Sequence, residues 1–157
     1  MLKYVDTKVT FSEVPDEISL CINISNCPCH CKNCHSSYLA QDIGTELTFN
    51  EVRKLIKKNS GISCIAIMGG DAEPDKINTL ASFIINHYGS IKVAWYSGRQ
   101  ELSKEIDLQN FDFIKLGSYK EEFGPLNSRT TNQRFYKVNG KELVDITSKF
   151  WKHETEN

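Results

Sequence analysis

Long apolar runs are missing from this sequence. The longest is Cys64-Ile65-Ala66-Ile67-Met68, whereas a membrane-spanning helix needs about 20 consecutive apolar residues. No membrane helix and no membrane partner are expected. An excess of either charge is missing too. Nineteen Lys and Arg stand against 20 Asp and Glu, a net charge of −1, so no field draws the chain nonspecifically to nucleic acid or an anionic surface. The opening residues MLKYVDTKVT lack the apolar core of a secretory signal, and a cytoplasmic protein is expected. Proline is scarce, at four residues. No Pro/Ser linker, internal repeat or low-complexity tract divides the chain, so 1–157 reads as a single domain. Hydrophobic residues at 39% and charged residues at 25% suffice for a core and exclude extended disorder, collagen and coiled coil.

Cysteine is what stands out. Four of the six, Cys27, Cys29, Cys31 and Cys34, fall within eight residues. Disulfide scaffolds spread cysteines so that bridges close long loops, and cytosolic thiols stay reduced. Such crowding points to a metal or an iron–sulfur cluster. Cys21 and Cys64 sit in apolar, strand-like runs and read as buried core residues.

The hydrophobic pattern alternates between two periods. Val9-Thr10-Phe11 is a short extended run. From Glu17 to Ser25, Ile18, Leu20, Ile22 and Ile24 alternate with Ser19, Cys21, Asn23 and Ser25, predicting a strand. The cysteine loop follows. Thr48-Phe49-Asn50-Glu51 is a capping box that opens a helix, with Phe49, Val52, Leu55 and Ile56 on one face and Gly61 at its end. Ser63–Met68 predicts a buried strand, Asp75–Tyr88 a helix, Ile91–Tyr96 a strand, Glu101–Ile106 a short helix and Phe111–Leu116 a strand. A long polar loop runs to about Asn132. Gln133–Val138 and Glu142–Ile146 flank Asn139-Gly140, a hairpin signal, and Phe150 and Trp151 suggest a last short helix.

Strand alternating with helix predicts an α/β fold with parallel strands and right-handed crossovers. Ligands then gather at the carboxyl edge. The cysteine loop, Met68-Gly69-Gly70-Asp71, Tyr96-Ser97-Gly98-Arg99 and Leu116-Gly117-Ser118-Tyr119 all follow strands and should open onto one mouth. A complete eight-stranded βα barrel usually needs about 200 residues or more. The expectation is therefore an open, partial (βα) barrel of mainly parallel strands with a C-terminal hairpin.

The cysteine spacing is Cys27-x3-Cys31-x2-Cys34. Three thiolates this close can hold three irons of a cubane cluster and leave the fourth iron open to an external ligand. Two other readings stand beside it. Zinc can take four thiolates, with His30 and His35 nearby, although structural zinc sites more often join two separated pairs. Cys31-Lys32-Asn33-Cys34 also has the spacing of a redox pair.

Cys27-x3-Cys31-x2-Cys34, just after the first strand of a βα series, resembles the motif of the radical S-adenosylmethionine (SAM) enzymes. Further segments carry the likeness across nearly the whole chain: Ile22-Asn23-Ile24-Ser25-Asn26-Cys27-Pro28, Cys34-His35-Ser36, Met68-Gly69-Gly70-Asp71, Gly124-Pro125-Leu126 and Thr131-Asn132-Gln133-Arg134. With the short length, the late segments resemble the family of activating proteins of anaerobic ribonucleoside-triphosphate reductases.

The resemblance implies that Cys27, Cys31 and Cys34 ligate a [4Fe-4S] cluster whose open iron chelates SAM. One electron, from a carrier such as flavodoxin, cleaves the sulfonium to methionine and a 5′-deoxyadenosyl radical. That radical takes a hydrogen atom from a glycine of the reductase's glycyl radical subunit. Gly69 and Gly70 suit a close backbone approach to the amino-acid end of SAM, although glycine pairs also simply end strands. Asp71 stands where the superfamily usually has glutamate, and Glu73 is its rival as acceptor for the SAM ammonium. Asn33 stands where many members carry an aromatic residue against the adenine, which leaves His35 or Tyr38 for that contact. Cys29 is extra to the motif. Ser97 and Gly98 are candidates for the ribose or carboxylate of SAM. The Gly117–Arg134 loop, with Gly124 and Pro125, is the expected partner-binding segment, with Arg129 and Arg134 as anchors for the partner or the SAM carboxylate. Another small radical SAM enzyme, and a non-catalytic zinc module, are the alternatives.

Overall fold

The computed structural model describes residues 2–27 and 41–154. Its frame is one eight-stranded sheet in the order β3-β1-β2-β4-β5-β6-β7-β8. The strands are β1 (Lys3–Thr10), β2 (Ser19–Ile24), β3 (Thr45–Glu46), β4 (Cys64–Met68), β5 (Lys92–Tyr96), β6 (Phe113–Leu116), β7 (Arg134–Asn139) and β8 (Glu142–Asp145). Two α-helices, α1 (Phe49–Lys58) and α2 (Pro74–His87), fill the connections β3–β4 and β4–β5.

The central strands β2, β4, β5 and β6 run parallel. The outer strands join antiparallel: β1 and β3 on one side, β7 and β8 on the other. This corrects the expectation of mainly parallel strands. The sheet is mixed, and its ends, β3 and β8, do not pair with each other. At two junctions the cause is connection length. A parallel pair needs a crossover of about a dozen residues or more, whereas residues 11–18 alone join β1 to β2 and Gly140-Lys141 alone join β7 to β8, with Gly140 at φ 65°.

Both helices pack on the same face. Val52 and Leu55 from α1, and Ile77, Leu80, Ala81, Phe83 and Ile84 from α2, join Leu20, Ile22, Ile24, Ile65, Ile67, Val93, Trp95 and Ile114 in one apolar cluster. Fully burying an Ile, Leu or Phe contributes about 1.5–3 kcal/mol, so α2 is held by its apolar stripe. The opposite face carries a second cluster of Val14, Cys21, Cys64, Ala66, Ala94, Tyr96, Phe113 and Phe135. Neither α1 nor α2 covers it; among the described residues, Leu126, Ile146 and Phe150 pack there instead.

Local chemistry sets the element ends. Thr48 caps α1, its Oγ1 accepting from the Glu51 N–H at 3.1 Å. Glu51 Oε1 in turn accepts from the Tyr4 hydroxyl at 2.6 Å. Asn59 closes the helix by donating Nδ2 to the Leu55 carbonyl at 2.8 Å, two residues before the predicted stop at Gly61. The predicted helix at Glu101–Ile106 does not form. Ser103 Oγ accepts from the Glu105 N–H at 3.2 Å, and Asp107 Oδ1 accepts from the Gln109 N–H at 3.0 Å. These side chains compete with helical bonding, and only the 3-10 turn Leu108–Asn110 results. The last short helix around Phe150 and Trp151 forms as a second 3-10 segment, Thr147–Glu154. No helix among the described residues is long and apolar enough to cross a membrane.

Candidate functional site at the carboxyl edge of the parallel strands

The four parallel strands end at one edge, and each exit turn is held in place. After β2, the Ser25 N–H donates to the Lys3 carbonyl at 2.9 Å, and the Asn26 N–H to the Gln41 carbonyl at 2.9 Å. Asn26 takes a left-handed conformation, φ 60°. Asn26 and Gln41 thus tie together the two flanks of the cysteine segment. Cys27, partly exposed, stands one residue beyond that neck. Cys29, Cys31, Cys34, Asn33, His35 and Tyr38 lie outside the described residues.

Among the described residues, no three His, Cys, Asp or Glu side chains cluster as a metal site. The fit of an iron–sulfur group therefore rests on Cys27. A partly exposed thiol at the carboxyl end of a parallel strand, with three more thiols in the next seven residues, is a donor set suited to a cluster. Cys21 and Cys64 are of another kind. Both are buried in the helix-free cluster, and burial pushes each thiol up to about 12. Thiolates are the reactive form. In the folded apoprotein, a thiol-specific alkylating reagent is expected to modify Cys27 and spare Cys21 and Cys64 until denaturant is added. Peptide mass mapping reads this directly, and rapid labelling of Cys21 in the native state would contradict it.

After β4, Gly69 and Gly70 have φ of 101° and 89°, conformations that favour glycine. The Gly69 N–H donates to the Tyr96 carbonyl at 2.9 Å, and Trp95 Nε1 donates to the Gly69 carbonyl at 2.7 Å. A Cβ at Gly70 would lie 2.4 Å from Ile77 Cδ1. Close approach of α2 therefore demands this glycine, besides anything a ligand requires.

Asp71 is nearly buried, at 7% exposure. Its Oδ1 accepts from the Ser97 hydroxyl and its Oδ2 from the Gly98 N–H at 2.9 Å. The structure thus ties Asp71 to the Ser97-Gly98 turn, while Gly69 is held by Tyr96 and Trp95 of β5 and the Gly70 carbonyl accepts from the Glu73 N–H. Glu73 points elsewhere. It precedes α2 and shares a small crevice with Ile24, Ser25, Asn26 and Asp42. The two rival carboxylates are sorted by position: Asp71 binds the β5 exit, and Glu73 faces the neck of the cysteine segment.

One residue at this edge, Lys115, has no place among the motifs of the sequence. On the helix-free face, the register aligns Asn23, Met68, Tyr96 and Lys115 in one row across β2, β4, β5 and β6. One step below lie Cys21, Ala66, Ala94 and Phe113. Lys115 is 8% exposed. Its Nζ donates to the carbonyls of Gly117 at 2.8 Å and Ser97 at 3.2 Å, and lies 5.8 Å from the Tyr96 ring centre. Its signal in the sequence is a lone charge in Phe113-Ile114-Lys115-Leu116, directly before Gly117.

The Gly117–Arg134 loop has more internal order than a long polar stretch implies. Lys120 and Gly124 form a bridge, the Ser128 N–H donates to the Pro125 carbonyl at 2.9 Å, and Asn132 Nδ2 donates to the Ser118 carbonyl at 3.0 Å. Pro125, Leu126 and Asn127 line a cavity of about 720 Å³ over the helix-free face, opposite Phe11–Asp16 and beside Phe150. Arg129 lies over the Trp151 ring, 5.8 Å from its centre. Arg134 pairs with Asp145 of β8 at 3.7 Å. Both arginines are therefore engaged within the C-terminal region. No family model, no curated protein and no solved structure matches the chain.

Proposed function

We propose that this chain is a radical SAM activating enzyme that installs the glycyl radical on an anaerobic ribonucleoside-triphosphate reductase. The observation that carries the reading is the position of Cys27. It follows the first of four parallel strands, at the edge where the Gly69-Gly70 and Ser97-Gly98 turns also open. The order β2-β4-β5-β6 steps in one direction with both helices on one face. A segment of a partial βα barrel needs that arrangement, because an unreversed series of right-handed crossovers places every helix on the same side.

Cys27, Cys31 and Cys34 would hold a [4Fe-4S] cluster, which would supply the low-potential electron, taken from a flavodoxin-type donor, for reductive cleavage of SAM and so for hydrogen abstraction from the partner's glycine. The chain's own residues bind and orient. Glu73, facing the cysteine neck, is the acceptor assigned to the SAM ammonium. Asp71 holds the Ser97-Gly98 turn against the ligand. The Gly124-Pro125 loop and its cavity receive the glycine-bearing segment of the partner.

The test is anaerobic incubation of iron- and sulfide-reconstituted protein with reductant, SAM and the reductase. A glycyl radical by electron paramagnetic resonance is the expected signal. A colourless zinc protein that yields none would sink the proposal. Replacing both Gly124 and Pro125 with alanine is expected to leave 5′-deoxyadenosine formation intact while lowering the glycyl radical signal by about tenfold, a typical loss for a single binding contact. Equal loss of both products would remove this loop from partner binding.

A further inference from the structure

We infer that Lys115 is a positioning residue that locks the exit turns of β4, β5 and β6 into one rigid rim. The inference rests on the proposed function for its consequence but on geometry for its substance.

Lys115 is a charged side chain in an otherwise apolar strand, and an ammonium at 8% exposure is tolerated only where good acceptors replace water. Those acceptors are backbone carbonyls, and they belong to two different turns. The Ser97 carbonyl is the first past β5, and the Gly117 carbonyl the first past β6. The same turns are cross-linked again around the lysine. The Ser97 N–H donates to the Lys115 carbonyl at 2.9 Å, and the Gly117 N–H to the Arg99 carbonyl at 2.7 Å. Gln133 Nε2 adds a donor to the Gly117 carbonyl at 3.3 Å. Ser97 then carries the connection to β4, since its hydroxyl and the next N–H both bind Asp71. One ammonium thus sits where hydrogen bonds from three exits converge.

A ligand against this edge meets Gly69, Gly70, Ser97 and Gly98 as a preset surface, so the binding free energy is not spent on ordering loops. A thioether at position 115 would remove the ammonium's bond to the Ser97 carbonyl, leave Gln133 Nε2 as the side-chain donor to the Gly117 carbonyl, and free the turns to move apart. Because the strands below are held by ladder bonds and apolar burial, the loosening stays local.

Amide hydrogen exchange on the apoprotein tests this without any cofactor. In Lys115→Met, exchange at Gly98 and Gly117 is expected to speed at least tenfold, while Ile65, Ile67 and Val93 in the sheet keep wild-type rates. Ser97→Ala, a milder change that removes a donor to Asp71 and the acceptor of the Arg99 N–H, is expected to speed Gly98 and Arg99 but not Gly117. The reconstituted proteins give the functional arm: Lys115→Met retains wild-type iron and sulfide but binds SAM at least tenfold more weakly by equilibrium dialysis. Unchanged exchange at Gly98 and Gly117, or a uniform rise across the sheet, overturns the inference. SAM binding by wild type that Lys115→Met fully retains overturns its functional consequence. A wild-type protein that binds no SAM overturns the radical reading instead, and leaves the exchange result to decide the role of Lys115.

Discussion

Replacing Cys27 with alanine abolishes cluster assembly and SAM cleavage while leaving the fold intact: that is the first expected result. Cys27 is partly exposed and belongs to neither apolar cluster, so its removal opens no cavity. Surface substitutions of this kind shift stability by less than about 0.5 kcal/mol. The metal should respond very differently. With three thiolates holding a cubane, losing one drops iron from about four per chain to near zero after anaerobic reconstitution. Iron and sulfide analysis, together with 5′-deoxyadenosine measured by chromatography, reads the effect. Cys29→Ala is the discriminating control. A three-cysteine cluster keeps its iron and activity in that variant, whereas a four-thiolate zinc site loses its metal as completely as in Cys27→Ala. Equal damage from both substitutions would reject the assignment of Cys27, Cys31 and Cys34 as the ligand set.

Gly70→Ala should be the most damaging change to stability at the site. Two independent terms oppose the new methyl. The left-handed backbone, φ 89°, disfavours an L side chain by about 1–2 kcal/mol. The methyl would also lie 2.4 Å from Cδ1 and 2.9 Å from Cγ1 of Ile77, a fully buried residue of α2, and overpacking of this kind costs about 1–3 kcal/mol. Together they predict a loss of about 2–5 kcal/mol, or roughly 10 °C in melting temperature for a chain of this size. Ile77→Val separates the terms. Alone it destabilises by about 0.5–1.5 kcal/mol. In the Gly70→Ala background it removes the atom nearest the methyl, so the double variant should be about 1 kcal/mol more stable than the sum of the singles. Strict additivity would mean that backbone strain acts alone.

The parts of this fold that can be read from sequence are those where burial imposes a period. Helices α1 and α2 each present an apolar stripe and follow the predicted spans closely, and β2, β4, β5 and β6 are apolar runs ended by turn residues. Strand β1 hides because its residues Lys3, Asp6, Thr7, Lys8 and Thr10 are exposed or only partly buried, so no alternation marks it beyond Val9. Strand β3, two exposed residues long, leaves no pattern at all. The mixed direction of the sheet is missed for a related reason. Alternation of strand and helix describes the centre, while the antiparallel flanks depend on strands that either lack a signal or come late in the chain.

The candidate site divides in the same way. Turns after strands are legible because glycine and serine stand there, so Gly69, Gly70, Ser97 and Gly98 are found before any fold is known. Their mutual bonds are not legible. Asp71 and Ser97 are distant in sequence and meet only once β4 and β5 pair. Lys115 is passed over because a single lysine in a strand normally points to solvent. Here the helix-free face turns it inward beneath the exits. The contacts of Arg129 with Trp151 and of Arg134 with Asp145 are not legible either, since they form only when the C-terminal segment folds back on the loop.

The order of strands along the sheet has a consequence for synthesis. From β4 to β8, each strand is added to the edge its predecessor left bare. Strand β6, with all four residues buried in the finished protein, emerges from the ribosome well ahead of its covering neighbour. At about 5–20 residues per second, translation of the stretch between Leu116 and Arg134 takes roughly one to four seconds. Throughout that interval an apolar, unpaired edge faces solvent, a template for pairing with other chains. Nascent chains arrested in this loop should therefore aggregate far more readily than those released after β7.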